Sequence, residues 1–110
     1  MSQDYIALEW VKGEIEETLQ QAQQALEAYV ENPQDNSRLK FCLSYLHQIH
    51  GTLQMVEFYG AALLAEEMEA IASALADSSL SNERDGLEIL MQAIIQLPHY
   101  LEHVKVGRRD

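Results

Sequence analysis

His47, His50 and Gly51, followed further along the chain by Glu66 and Glu69, are the residues whose types and spacing are suited to chemistry. A carboxylate bonded to one imidazole nitrogen fixes the tautomer and leaves the other nitrogen a free nucleophile. Such a ring can accept a phosphoryl group. The chain carries no glycine-rich phosphate cradle and no Walker sequence, so nucleotide and metal must come from another protein. No nucleophilic serine with an oxyanion hole accompanies the pair, which makes it a group carrier and not a catalyst of its own. Gly51 adds a second signal, because a mid-helix glycine costs about 1 kcal/mol relative to alanine. Bare backbone beside a solvent-facing ring points to a surface that another protein approaches closely. The same side chains also form two i, i+3 pairs, His47 with His50 and Glu66 with Glu69. A metal site is therefore the rival from another class, although the Glu-x-x-His pairs of dimetal bundles are absent.

Four amphipathic segments must position these residues. Leu8, Val11, Ile15, Leu19, Ala22, Leu26 and Tyr29 recur at spacings of three and four, the mark of one long helix that ends at Asn32-Pro33. The polar run from Gln34 to Ser37 offers N-caps for a second helix, striped by Leu39, Cys42/Leu43, Leu46, Ile49, Leu53 and Val56. Phe58-Tyr59-Gly60 reads as a tight joint, followed by a third helix with Leu64, Met68, Ile71 and Leu75 inward. Asp77 to Asn82 is a loop in which Ser81 can cap a fourth helix, whose inner residues are Leu87, Leu90/Met91, Ile94, Leu97, Leu101 and Val104. Pro98 should kink that helix near Ile94 or split it. The helices are expected at about 4–31, 36–58, 61–76 and 81–105. No segment alternates with period two, so the expected fold is all-α, an antiparallel up-down-up-down four-helix bundle over residues 1–110.

At about 100° per residue, with Leu46 at zero, His50 falls at about 40° on the margin of the core. His47 falls at about 100° and Gly51 at about 140°, on an accessible flank. Glu69 is rotated by about 100° from Met68 on the third helix. Positions 47 and 69 are equally far from the joint, so Glu69 is expected beside His47, with Glu66 more exposed and nearer the joint.

The bulk numbers set the outer bounds. At 110 residues with 47% apolar content the chain is one globular domain with a packed core. Its 18 acids against 7 bases give a net charge of −11, which excludes nucleic acid as the main partner. Lys105, Arg108 and Arg109 cluster near the end, where they can interact with a helix dipole. Cys42 is the only cysteine and lies on an apolar stripe, a buried inert thiol. No signal peptide or membrane span is visible, so a cytoplasmic location without membrane insertion is expected. Trp10 and the five tyrosines fit the core and its edges. The run Glu14-Ile15-Glu16-Glu17 is a solvated face, and His99 and His103 are surface residues flanking Pro98. The charged ending from Val106 to Asp110 suits a linker, so the domain is expected to be part of a longer multidomain kinase.

These residues resemble the histidine-phosphotransfer (HPt) family, whose motif is His-x-x-Lys-Gly on the second helix of a four-helix bundle. The match is His47 and Gly51, the core positions Leu46 and Ile49, and the pair Met68-Glu69 downstream. The wider run from Gln54 to Glu69 is similar to the N-terminal phosphotransfer domain of CheA-like hybrid kinases in type IV pilus (twitching) systems. The resemblance implies that His47 is the phosphoacceptor, Glu69 its hydrogen-bond partner and Gly51 the clearance for an incoming partner. It further implies a CheA-like kinase catalytic domain as phosphoryl donor and a response-regulator receiver as acceptor, with no cofactor held by this chain. Two positions depart from the family pattern. His50 stands at the lysine position, and Glu57 stands where a glycine is common ten residues past the histidine. The alternative to a phosphorelay intermediate is therefore a degenerate HPt-like scaffold that binds partners without being phosphorylated.

Overall fold

The computed structural model describes residues 2–78 and 82–108, with side chains described for residues 9–78 and 82–102. Four helices account for nearly all of it: α1 Ser2–Glu31, α2 Ser37–Met55, α3 Tyr59–Ala76 and α4 Glu83–Arg108. Among the described residues there is no strand. Among the described residues the helices pack in a closed ring, α1 on α2, α2 on α3, α3 on α4 and α4 back on α1, without close backbone approach across the diagonal. A helix of α1's length measures about 45 Å at 1.5 Å per residue, and the molecule extends 47 × 22 × 19 Å. The bundle is therefore one helix long and two helices wide.

The apolar stripes meet in one core. Ile15, Leu19, Leu26 and Tyr29 of α1 pack with Leu39, Cys42, Leu46, Ile49 and Leu53 of α2, and Leu90, Ile94, Leu97 and Leu101 of α4 join them. No polar or charged residue among those described is fully buried. On α3 the buried face is Ala61, Ala62, Ala65, Met68, Ala72 and Leu75, whereas Leu64 and Ile71 are only partly covered. The expected face is thus turned by about 60°, onto the alanines. Small side chains let α3 lie close to α2, and the turn brings Glu69 toward the seam. Leu8 and Val104 lie outside the described side chains.

The α1–α2 joint is built from polar side chains. Asp35 accepts bonds from the Ser37 amide at 3.1 Å and the Ser37 hydroxyl at 2.6 Å. The Ser37 hydroxyl, then its amide, hold the Asp35 carboxyl below the usual carboxylate range. Asn36 at the N-cap does not cap its own helix; its side-chain amide donates to the Ala76 carbonyl at 3.2 Å, where α3 ends.

The α2–α3 joint is Val56 to Phe58, and Tyr59 and Gly60 are already helical. The Phe58 amide reaches back to the Leu53 carbonyl and the Glu57 amide to that of Gln54, both at 3.0 Å. This is the Schellman arrangement, with buried Phe58 packed at the end of α2 near Leu53. It requires a left-handed residue at position 57, and Glu57 has φ 65°. A glycine adopts this conformation freely, whereas Glu57 adopts it at a steric cost. At Gly60 a Cβ would lie 2.6 Å from the Tyr100 hydroxyl of α4, so a larger residue there would displace the tip of that exposed side chain.

Several expectations are corrected by the structure. The α4 cap is Asn82, whose Oδ1 accepts from the Asp85 amide at 3.2 Å while its amide donates to the Asp85 carboxylate at 3.0 Å; Ser81 lies outside the described residues. Pro98 does not split α4, which runs from Glu83 to Arg108. A proline inside a helix costs roughly 3 kcal/mol, but Ile94, Leu97 and Leu101 around it are fully buried. Each such side chain contributes about 1.5–3 kcal/mol, so burial outweighs the lost hydrogen bond. Trp10 is 79% exposed and not in the core. It precedes Val11 of the stripe by one residue, which turns it about 100° outward. Tyr29 is buried, Tyr45 is half-buried, and Tyr59 and Tyr100 face solvent; the Tyr5 side chain is outside the described set. So are the side chains of His103, Lys105 and Arg108, while Arg109 lies wholly outside the described residues.

Candidate functional site

His47 and His50 stand one turn apart on α2, and Leu46 and Ile49, both buried, anchor that turn. Glu69 follows buried Met68 on α3. His47 and Glu69, eleven residues either side of Phe58, are hydrogen-bonded: the Nδ1–H of His47 donates to Glu69 Oε2 at 2.7 Å. The other oxygen is also used. The Nδ1–H of His50 donates to Glu69 Oε1 at 3.2 Å, so one carboxylate serves both rings. An ionised carboxylate only accepts, which puts the proton of each neutral ring on Nδ1.

The two rings differ in their surroundings. The side chain of His47 is 73% exposed, against 18% for His50 and 23% for Glu69. His47 Nε2 therefore faces solvent with a lone pair available. His50 Nε2 is buried and has no hydrogen-bond partner among the described residues. Leaving such an acceptor unsatisfied costs about 1–3 kcal/mol. The rings lie edge to face, with centroids 6.4 Å apart.

An open cleft of about 340 Å³ runs along this seam, lined by Leu43, His47, His50, Glu66, Glu69, Ala70 and Ser73. Among the described residues no lysine or arginine lines it. Glu66 is exposed at its edge, whereas Glu57 lies at the end of α2, about 15 Å along the axis from His47. Gly51 is exposed, and a Cβ there would meet nothing within 4 Å. Gly13 of α1 is open in the same way; Gly51 differs in standing one turn from His47. Among the described residues nothing requires a glycine at position 51. Cys42 is buried, which pushes its thiol up to about 12 and makes it unreactive at neutral pH.

The structure thus brings together His47, His50 and Glu69, with Gly51 on the same flank. Sequence reasoning missed that Glu69 serves His50 as well as His47. The signal was present in the i, i+3 spacing, which separates the two rings by only about 60° around the helix. A carboxylate on a neighbouring helix can reach between them once its own helix is turned toward the seam, and that turn was hidden by the alanines of α3.

Among the described residues the chain is a bundle of four helices, with an exposed histidine bonded to a carboxylate across one helix seam. The profile of the family described as the FimL C-terminal domain matches residues 4–110, and the chain belongs to that family. The scaffold protein FimL of Pseudomonas aeruginosa is 38% identical over 105 residues, covering 94% of this chain and 18% of that protein. The chain therefore spans less than a fifth of the length of that relative. No solved structure matches. Among the described residues, no helix is long and apolar enough to cross a membrane.

Proposed function

We propose that this chain is a protein-docking module of HPt-like architecture, which presents the His47–Gly51 face of α2 to a partner without receiving a phosphoryl group. The carrying observation is His50, at the position where the resembling family has a phosphate-neutralising lysine. Its Nδ1–H bonds to Glu69 and its Nε2 is buried, so in this arrangement it presents no N–H to a phosphoryl group on His47. Glu66 and Glu69 add negative charge to a cleft without a cationic side chain, an unfavourable setting for a dianion. A relative described as a scaffold protein agrees with this reading. The partner class is a response-regulator receiver or a CheA-like kinase catalytic domain, and the module is one segment of a longer signalling protein.

A second reading, phosphocarrier, is favoured by one observation. Glu69 holds Nδ1 of an exposed His47 at 2.7 Å and leaves Nε2 free, the arrangement a phosphoryl acceptor requires. Incubation with the CheA-like kinase domain of the cognate chemosensory system and labelled ATP separates the two. The docking reading expects no acid-labile label on the wild type, together with measurable receiver binding that Gly51→Gln weakens more than about tenfold while helicity is kept. Label on the wild type that vanishes in His47→Gln replaces docking with phosphotransfer. Receiver binding unchanged by Gly51→Gln removes this face from the docking surface.

A further inference from the structure

We propose that His47, His50 and Glu69 form a three-ligand site for a divalent transition-metal ion, with zinc as the metal to test. The proposal does not depend on the docking reading. It starts from convergence: one ligand atom from each of the three side chains lies within 4.8 Å of the others. The direct contacts are 2.7 Å from His47 Nδ1 and 3.2 Å from His50 Nδ1 to the two oxygens of Glu69. Ligands of a tetrahedral zinc ion at 2.0–2.1 Å are about 3.4 Å apart, so adjustments of about an ångström suffice.

The donor set selects the class of ion. Two imidazole nitrogens and one carboxylate suit zinc and its neighbours, not calcium or magnesium, which take oxygen ligands. All three ligands sit on helices, and His50 and Glu69 are held by the packing of the α2–α3 seam. His47 is the most exposed of the three and has the most room to adjust. Three protein ligands leave a fourth position to water from the open cleft, the pattern of accessible zinc sites. On binding, each imidazole proton moves from Nδ1 to Nε2, the Glu69 carboxylate supplies the third ligand, and two N–H···O bonds give way to three metal–ligand bonds. The ion also brings positive charge to the side of the seam that has no cationic side chain.

The test is calorimetric titration of the whole chain with zinc chloride in a non-chelating buffer near pH 7.5. One ion per chain with micromolar or tighter affinity is expected, weakened more than about tenfold in both His50→Gln and Glu69→Gln, with His99→Gln unchanged. Because the site bridges two helices, zinc should also raise the unfolding temperature of the wild type and not of His50→Gln. A readout that needs no variant is the ring nitrogen shift in long-range ¹H–¹⁵N spectra: zinc must move Nδ1 of His47 and His50 and leave His99 in place. Absence of heat above the buffer blank overturns the proposal. So does binding retained equally in His50→Gln and Glu69→Gln, or zinc that leaves the His47 and His50 nitrogens unmoved.

Discussion

At the scale of single residues, Glu57 is the position most at odds with its own chemistry. Its backbone is left-handed at φ 65°, a conformation that costs a residue with a Cβ about 1 kcal/mol. Glu57→Gly should therefore raise stability by about 1 kcal/mol in urea unfolding, an offset against the usual entropic cost of glycine. A lower midpoint in the variant would mean that the glutamate side chain stabilises the joint more than the backbone strains it. The identity of this residue was legible as a departure from a resembling family; its cause was not. A left-handed position is set by where α2 must stop so that Phe58 can turn into the core, and periodicity places helix ends only to within a few residues. The same limit moved the α4 cap from Ser81 to Asn82. The pairing of His47 with Glu69, in contrast, followed from the angle per residue and the position of the joint.

At the scale of elements, α4 is the helix whose continuity needs explaining. Pro98 has no N–H, so the Ile94 carbonyl lacks its intrahelical donor. Pro98→Ala should restore that bond and raise stability by about 1–3 kcal/mol, seen as a higher unfolding midpoint with a small gain in helicity. No gain would mean that the local geometry at Pro98 is needed for Leu97 and Leu101 to reach the core together. Periodicity identified every helix, because each carries a stripe of at least four apolar residues. It misplaces the rotation of α3, because Leu64 and Ile71 dominate an apolar stripe in which alanines carry little signal. In a tightly packed pair it is the smallest side chains that occupy the contact line, since they allow the backbones to approach. That one rotation decides whether Glu69 reaches two histidines or one.

At the scale of the whole molecule, Cys42 reports on the bundle as a unit. It is buried on α2, and its thiol is pushed up to about 12 by loss of solvation. In the unfolded chain the thiol titrates at its ordinary, lower value, so above that value the native state holds a proton that the unfolded state has lost. Stability contributed by the neutral thiol is full below the ordinary thiol range and declines as pH rises through it toward the native value. Alkylation by iodoacetamide at pH 8 should therefore proceed only through opening of the bundle, with a rate that rises steeply with urea. Rapid labelling without denaturant would show that α2 leaves the core by a local path. The fold class was plain from composition and stripe spacing, since nothing but helices fits them. What the bundle binds was not, because docking depends on which flank is left uncovered, and exposed residues carry no periodic signature.

The sharing of Glu69 between two rings has a consequence for genetics. When His47 is replaced, Glu69 remains tethered through His50, and the reverse also holds. Single substitutions at either histidine therefore understate the contribution of the trio, and the second removal costs more than the first. The effects of such substitutions are epistatic, and only a double-mutant cycle recovers the coupling between them. A survey of stability one change at a time would therefore underrate these positions.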